Sequence, residues 1–330
     1  MPRRMATTPD GRKRDLLTLA ELSPKDLDVL LSLSASLKRG RKARLGSSAL
    51  EGKSVALVFE KPSTRTRVSF QVAISELGGF PVSLSSAELQ LGRGETVEDT
   101  ARVLSRYVHA IMARVNRQES IERLAKAAAV PVINGLSDLY HPVQILADLL
   151  TLKEHKGKLK GLRVAWIGDG DNVCNSWLYG AALSGIDFAV ATPAGYEPLA
   201  SAVREAAALA RTTGGRTTLT NEPRLAAKGA DCVMTDTFVS MGEEEEKAKR
   251  QKAFLPGYQV DGRLMSLAER DAVFEHCLPA HRGEEVTPEV IDGPQSVVFD
   301  QAENRMHTTK ALLCFMMLGK TELSSLLKYR

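Results

Sequence analysis

The sequence is poor in cysteine: its 330 residues hold four, Cys174, Cys232, Cys277 and Cys314. None forms a CxxC pair or joins a Cys/His cluster with metal-ligand spacing, so no metal site and no metal cofactor is expected. A chain of this length with so few cysteines needs no disulfides, and a reducing cytoplasm is the expected compartment. Long apolar runs are also absent; nothing approaches the roughly 18–20 residues of a membrane span, so no membrane partner is expected. The basic start, MPRRMATTPDGRKRD, lacks an apolar h-region and is read as an irregular segment rather than a secretory signal. Charge of one sign is scarce: 44 Lys and Arg stand against 40 Asp and Glu. That small excess suits small anionic substrates and is too weak to point to nucleic acid. No internal repeat is visible, and no low-complexity tract beyond Glu243–Glu246.

What is present is an alternation of short apolar runs with helical patterns. The run 54–59 reads as a buried strand, followed by a helical stripe at Phe70, Ala73, Ile74 and Leu77 that Gly78 and Gly79 close. Further strands are expected at 81–84, 110–113 and 130–133, then a helix over 144–152 with Pro142 just before it. A second series follows, with strands at 162–167, 187–191, 216–219, 231–235, 272–276 and 297–299. Such alternation implies parallel sheets with helices on both faces. The fold class is α/β in two domains, one over residues 1–150 and one over 151–304. A last helix within about 305–330 is expected to pack back on the first.

In open α/β sheets, ligands bind beyond the carboxyl ends of strands. The segment FEKPSTRTRVSF, residues 59–70, lies at such a place. A helix starting near Ser63 offers free backbone N–H groups and a partial positive charge. Ser63, Thr64 and Thr66 add hydroxyls, and Arg65 and Arg67 add charge and bidentate geometry. Together they describe a dianion site.

Ser63-Thr64-Arg65-Thr66-Arg67 resembles the carbamoyl-phosphate motif of the aspartate/ornithine carbamoyltransferase family, and the likeness recurs from about Leu16 to Lys310. The resemblance implies a first domain that binds carbamoyl phosphate and a second that binds ornithine. Tyr140-His141-Pro142-Val143-Gln144 is similar to the family's HPxQ motif. There His141 and Arg114 would hydrogen-bond the carbamoyl oxygen and Gln144 would hold the carbamoyl NH2. Arg305 matches an arginine that contacts carbamoyl phosphate. The polar loop at Gln90 matches one that reaches a neighbouring subunit's site, which implies a homo-oligomer, most simply a trimer.

The acceptor half of the resemblance lies in the second domain. Gly168-Asp169-Gly170-Asp171-Asn172 follows a strand, but the third glycine of a dinucleotide fingerprint would fall at Val173, so the fingerprint is broken. The family instead places Asn172 on the amino-acid backbone of ornithine. It usually has Asn where this chain has Asp171. Asp236 begins a segment similar to the SMG loop of the ornithine branch: Asp236 would pair with the α-ammonium, and Ser240 and Met241 would close over the substrate, with Gly242 as a flex point. Phe238 stands where Trp is common. The charged run from Glu243 through Lys247, Lys249 and Arg250 reads as a solvated helix. His276-Cys277-Leu278-Pro279 looks like the HCLP signature, with Cys277 beside the side-chain amine and Leu278 among the carbamoyl-phosphate contacts.

The implied reaction is carbamoyl phosphate plus L-ornithine to L-citrulline and phosphate, in arginine biosynthesis, by direct attack of the δ-amine and without an organic cofactor. Arg65, Arg114, His141, Asp236 and Cys277 would carry it. Three other readings stay open: a transcarbamoylase for N-acetylornithine, putrescine or aspartate; a dehydrogenase built on the Gly168 loop; and a non-catalytic anion binder.

Overall fold

The computed structural model describes residues 13–85, 94–239, 244–255 and 257–328. The chain divides into two compact units, residues 1–150 with 303–330, and residues 151–302.

The first unit opens with α1 (Pro24–Arg39), which starts where Ser23 and Asp26 form a reciprocal capping box and Pro24 takes the first helical position. There follow β1 (Ser54–Phe59), α2 (Thr64–Glu76), β2 (Phe80–Ser85), α3 (Val97–Tyr107), β3 (Ala110–Arg114), α4 (Gln118–Ala127), β4 (Val132–Leu136) and α5 (Pro142–Lys156). The four strands form one parallel sheet in the order β2-β1-β3-β4. β1 and β3 are buried along almost their whole length, the mark of a parallel sheet covered on both faces. On one face Val58, Ile111 and Val132 pack with Ala101 of α3 and with Ile121 and Leu124 of α4. Deleting such a side chain, as in Ile121→Ala, costs about 2–5 kcal/mol.

The second unit contains β5 (Arg163–Ile167), α6 (Asn172–Ser184), β6 (Asp187–Ala191), α7 (Ala200–Ala210), β7 (Arg216–Thr220), α8 (Pro223–Ala227), β8 (Cys232–Thr235), α9 (Lys247–Phe254), α10 (Gly262–Met265), β9 (Val273–His276) and α11 (Pro288–Ile291). Its parallel sheet runs β7-β6-β5-β8-β9. α6 is buried from Val173 through Leu183, so it is a core helix, and its Trp177 stacks on Phe188 of β6. On the opposite side Ile167, Val233 and Phe274 pack with Ala226, Phe254, Leu264 and Ile291.

Two helices complete the chain, α12 (Val298–Met317) and α13 (Lys320–Leu327). The expected strand at 297–299 does not form: Val298 begins α12, and only an isolated bridge joins Ser296 to Phe274. Three apolar residues are too few to separate strand from helix by period, and the exposure of Phe299 beside buried Val298 fits a helical turn. α13 closes on α1 within the first unit, where the Ser36 hydroxyl donates to the Leu326 carbonyl at 2.8 Å.

Candidate active site

In the first sheet the chain steps from β1 to β2 on one side and then to β3 on the other. The switch point, where open α/β sheets bind ligands, lies between β1 and β3. Phe59 and Arg114, at the ends of those strands, are register partners. Ser63 caps α2 in extended conformation without a side-chain capping bond, and the first turn carries no acidic residue. The helix therefore presents backbone N–H groups and an uncompensated positive pole just beyond the sheet. Thr64 is exposed, Ser63 and Arg65 are half-buried and Thr66 is buried.

Arg305, on the buried side of α12, ties this end of α2 to α5. It donates to Gln144 Oε1 and, at 3.2 Å, to Thr66 Oγ1. Gln144 in turn donates from Nε2 to Asp148 Oδ1 at 2.8 Å, which fixes the direction of its amide. His141 sits just before Pro142 and is buried. Burial, and then the positive charges of Arg305, Arg114 and Arg65, hold its pKa well below the ordinary 6.5. It is a neutral imidazole at physiological pH, able to donate one N–H to an oxygen that gathers negative charge.

Of the two arginines assigned to the anion, Arg67 is used otherwise. Its guanidinium donates to Ser83 Oγ at 2.7 Å and lies 4.4 Å from the centre of the Phe59 ring, so it braces α2 on the sheet.

The second sheet has its switch point between β5 and β8. The loop after β5 leads into α6, whose first residue is Asn172, and the loop after β8 holds Asp236. The glycines there serve packing: a Cβ on Gly170 would lie 2.2 Å from the Pro198 nitrogen, and Gly168 has φ +142°. Asp236 Oδ1 accepts from the Thr237 N–H at 2.8 Å and from Cys277 Sγ at 3.1 Å. Leu278 follows with φ +58°, a left-handed conformation uncommon for a branched residue and frequent at functional turns. Asp236, His276 and Cys277 bring an oxygen, a nitrogen and a sulfur within 4.8 Å of one another. Cys277 Sγ is engaged with Asp236, and His276 Nδ1 accepts from the Leu278 N–H.

Two features escape a reading by motif. Arg250, expected on a solvated face, is buried: it meets Asp169 Oδ2 at 2.5 Å, reaches the Phe238 carbonyl at 3.3 Å and lies over the Tyr196 ring. Its environment is set by the loop after β5, which local charge patterning cannot show. Asp171 is the N-cap of α6. Its Oδ1 accepts from the Val173 and Cys174 N–H groups, each at 2.9 Å, while its Oδ2 is buried without a hydrogen-bond partner among the described residues. Burial, and then the charges of Asp236 and Asp169, push its carboxyl well above the ordinary 3.8. The Gln90, Ser240, Met241 and Gly242 positions lie outside the described residues.

Residues 14–154 match the family model described as aspartate/ornithine carbamoyltransferase, carbamoyl-P binding domain, and residues 160–316 match that of the Asp/Orn binding domain. The chain is 51% identical over 305 residues to an ornithine carbamoyltransferase of Methanosarcina acetivorans, covering 92% of this chain and 99% of the relative. It is 54% identical over 300 residues to that of Bacillus subtilis, covering 91% and 92%. Among solved structures, an ornithine carbamoyltransferase from Pyrococcus furiosus is similar with a TM-score of 0.89 and 50% identity, over 93% of this chain and 97% of that one. An anabolic ornithine carbamoyltransferase from Campylobacter jejuni gives 0.87 and 43%, over 92% and 98%.

Proposed function

The chain belongs to the aspartate/ornithine carbamoyltransferase family, and from that premise we propose that it transfers the carbamoyl group of carbamoyl phosphate to the δ-amine of L-ornithine, giving L-citrulline and phosphate. The observation that carries the reading is His141, a buried neutral imidazole amid Arg65, Arg114 and Arg305 at the first switch point. A neutral donor backed by fixed positive charge suits an oxygen that becomes negative during attack.

In this reading phosphate is held by Ser63, Thr64, Arg65 and the N-terminus of α2. Arg65, Thr66, Arg114 and His141 receive the charge on the carbamoyl oxygen, each such donor contributing about 2.7–4 kcal/mol in acyl transfer. Gln144 holds the carbamoyl NH2, with Arg305 beside it, and Leu278 adds a contact. Asn172 and Asp236 hold the amino-acid end, with Ser240 and Met241. Asp236 and Cys277 orient the neutral amine, which attacks unaided; Cys277 is no nucleophile. A free lysine-like amine has a pKa of about 10.4, so only about one part in a thousand is neutral at pH 7. Activity therefore rises with pH until the bound amine is deprotonated.

The family resemblance at Gln90 leads us further to a homotrimer in which that loop completes a neighbour's site. The low cysteine count favours the cytoplasm, and an anabolic relative in Campylobacter jejuni favours arginine biosynthesis. Among the described residues no helix is long and apolar enough to cross a membrane. Steady-state assay of Arg65→Ala tests the phosphate half: carbamoyl-phosphate binding and turnover should both be lost, and unchanged kinetics would overturn it.

A further inference from the structure

Three carboxylates converge at the second switch point, those of Asp169, Asp171 and Asp236. Asp169 is matched by Arg250. Asp236 accepts from Thr237 and Cys277. Asp171 uses one oxygen to cap α6 and keeps the other, Oδ2, buried with no hydrogen-bond partner among the described residues. An Asn would cap the helix equally well. The carboxyl is therefore not required by the fold, and it adds an ionisable oxygen beside the residue assigned to the substrate's ammonium.

We propose that Asp171 is a specificity-determining carboxyl of the acceptor pocket, supplying a second negative charge that favours amino acids with a positive α-ammonium. This rests on the reading of Asp236 as the ammonium partner. Asp171 acts through space, because its Oδ2 is shielded from solvent; it is a positioning residue and not a catalytic one.

The groups around it define how it responds to pH. Asp236 after β8 and Asp169 after β5 repel its negative charge. Cys174 on α6 is itself pushed upward by burial and then by Asp171 and Asp169, so it stays a neutral thiol. Cys277 after β9 donates to Asp236. Arg250 on α9 is committed to Asp169. Tyr196 and Glu197, on the loop packed against Gly170, give backbone contact there, and the Glu197 carboxylate accepts from the Gly195 N–H. Asp171 therefore holds its proton well above the usual carboxylate range. That proton sits on Oδ2, since Oδ1 already receives two N–H groups, and the protonated form imitates Asn. An arriving ammonium offsets the repulsion, the proton leaves for bulk water, and the pair Asp171–Asp236 faces the cation.

The test is Asp171→Asn, assayed beside the wild type with saturating carbamoyl phosphate and varied ornithine from pH 6 to 9. The expected result is a KM for ornithine about tenfold higher in the variant at the alkaline end, a ratio converging on one as pH falls, and a kcat within about threefold throughout; a charge-pair effect of this size is ordinary for partly buried sites. A KM ratio that is flat with pH overturns the proposal, because a helix cap alone gives no titration. If the wild type makes citrulline and the variant is kinetically identical, the proposal fails while the acceptor reading stands. If the wild type makes no citrulline, the acceptor reading fails and this proposal with it.

Discussion

Arg250 Nη1 lies 2.5 Å from Asp169 Oδ2, joining α9 to the loop after β5. Arg250 also holds the Phe238 carbonyl, so both ends of the segment from 238 to 250 are tied to one point. Both side chains are about nine-tenths buried, and removing one partner of such a pair costs about 3–5 kcal/mol because the other is left as an uncompensated charge. Arg250→Met should lose about that much by urea unfolding and should raise the KM for ornithine. The double variant Asp169→Asn, Arg250→Met should recover much of the stability. A double variant no better than Arg250→Met would show that the charge pair is not the cause.

Asp171 should make stability depend on pH in a definite direction. Its folded-state pKa is raised above 3.8. The stability tied to its neutral form is thus full below the unfolded value and is lost as pH rises through the folded value; a tenfold difference in acidity between the two states corresponds to about 1.4 kcal/mol. Asp171→Asn should therefore melt a few degrees above the wild type at pH 8, with the gap closing toward pH 4, where both carry a neutral cap. A gap that is constant with pH, or widest in acid, would contradict the assignment of the proton to Asp171.

His141 is neutral throughout the working range. His141→Ala should lower kcat about 10²–10³-fold, the usual loss for one donor to a developing oxyanion. The shape of the pH–rate profile should survive, because it reports the substrate amine and not this imidazole. If the wild-type profile has a limb near pH 6.5 that disappears in His141→Ala, the residue works as a titrating acid or base instead.

Arg305 bonds both Gln144 and Thr66, so its loss reaches two site residues at once. Arg305→Ala should weaken carbamoyl-phosphate affinity and lower kcat together, by about tenfold or more each, while the KM for ornithine changes little. Isothermal titration with carbamoyl phosphate checks the first part; unaltered binding would remove Arg305 from the anion site.

The sequence displayed the parallel sheets well because buried strands such as β1 and β5 carry short apolar runs at regular intervals between helical patterns. It failed at 297–299, where three residues carry no period. The placement of Arg65 and Asp236 just beyond strand ends was legible because the strands before them were. The partnerships were not. Arg67 reads like Arg65 in the motif but is committed to Ser83 and Phe59. Arg250 reads as solvated among lysines and is buried only because the Gly168 loop meets α9. The bond from Gln144 to Asp148 was within reach, since residues four apart share a helix face.

The most direct measurement is carbamoyl transfer from carbamoyl phosphate to four acceptors side by side: ornithine, N-acetylornithine, putrescine and aspartate. Citrulline from ornithine, with no comparable product from the others, is the predicted result. Preference for another acceptor would contradict the ornithine assignment while sparing the phosphate site, and no transfer to any of the four would contradict both halves of the site.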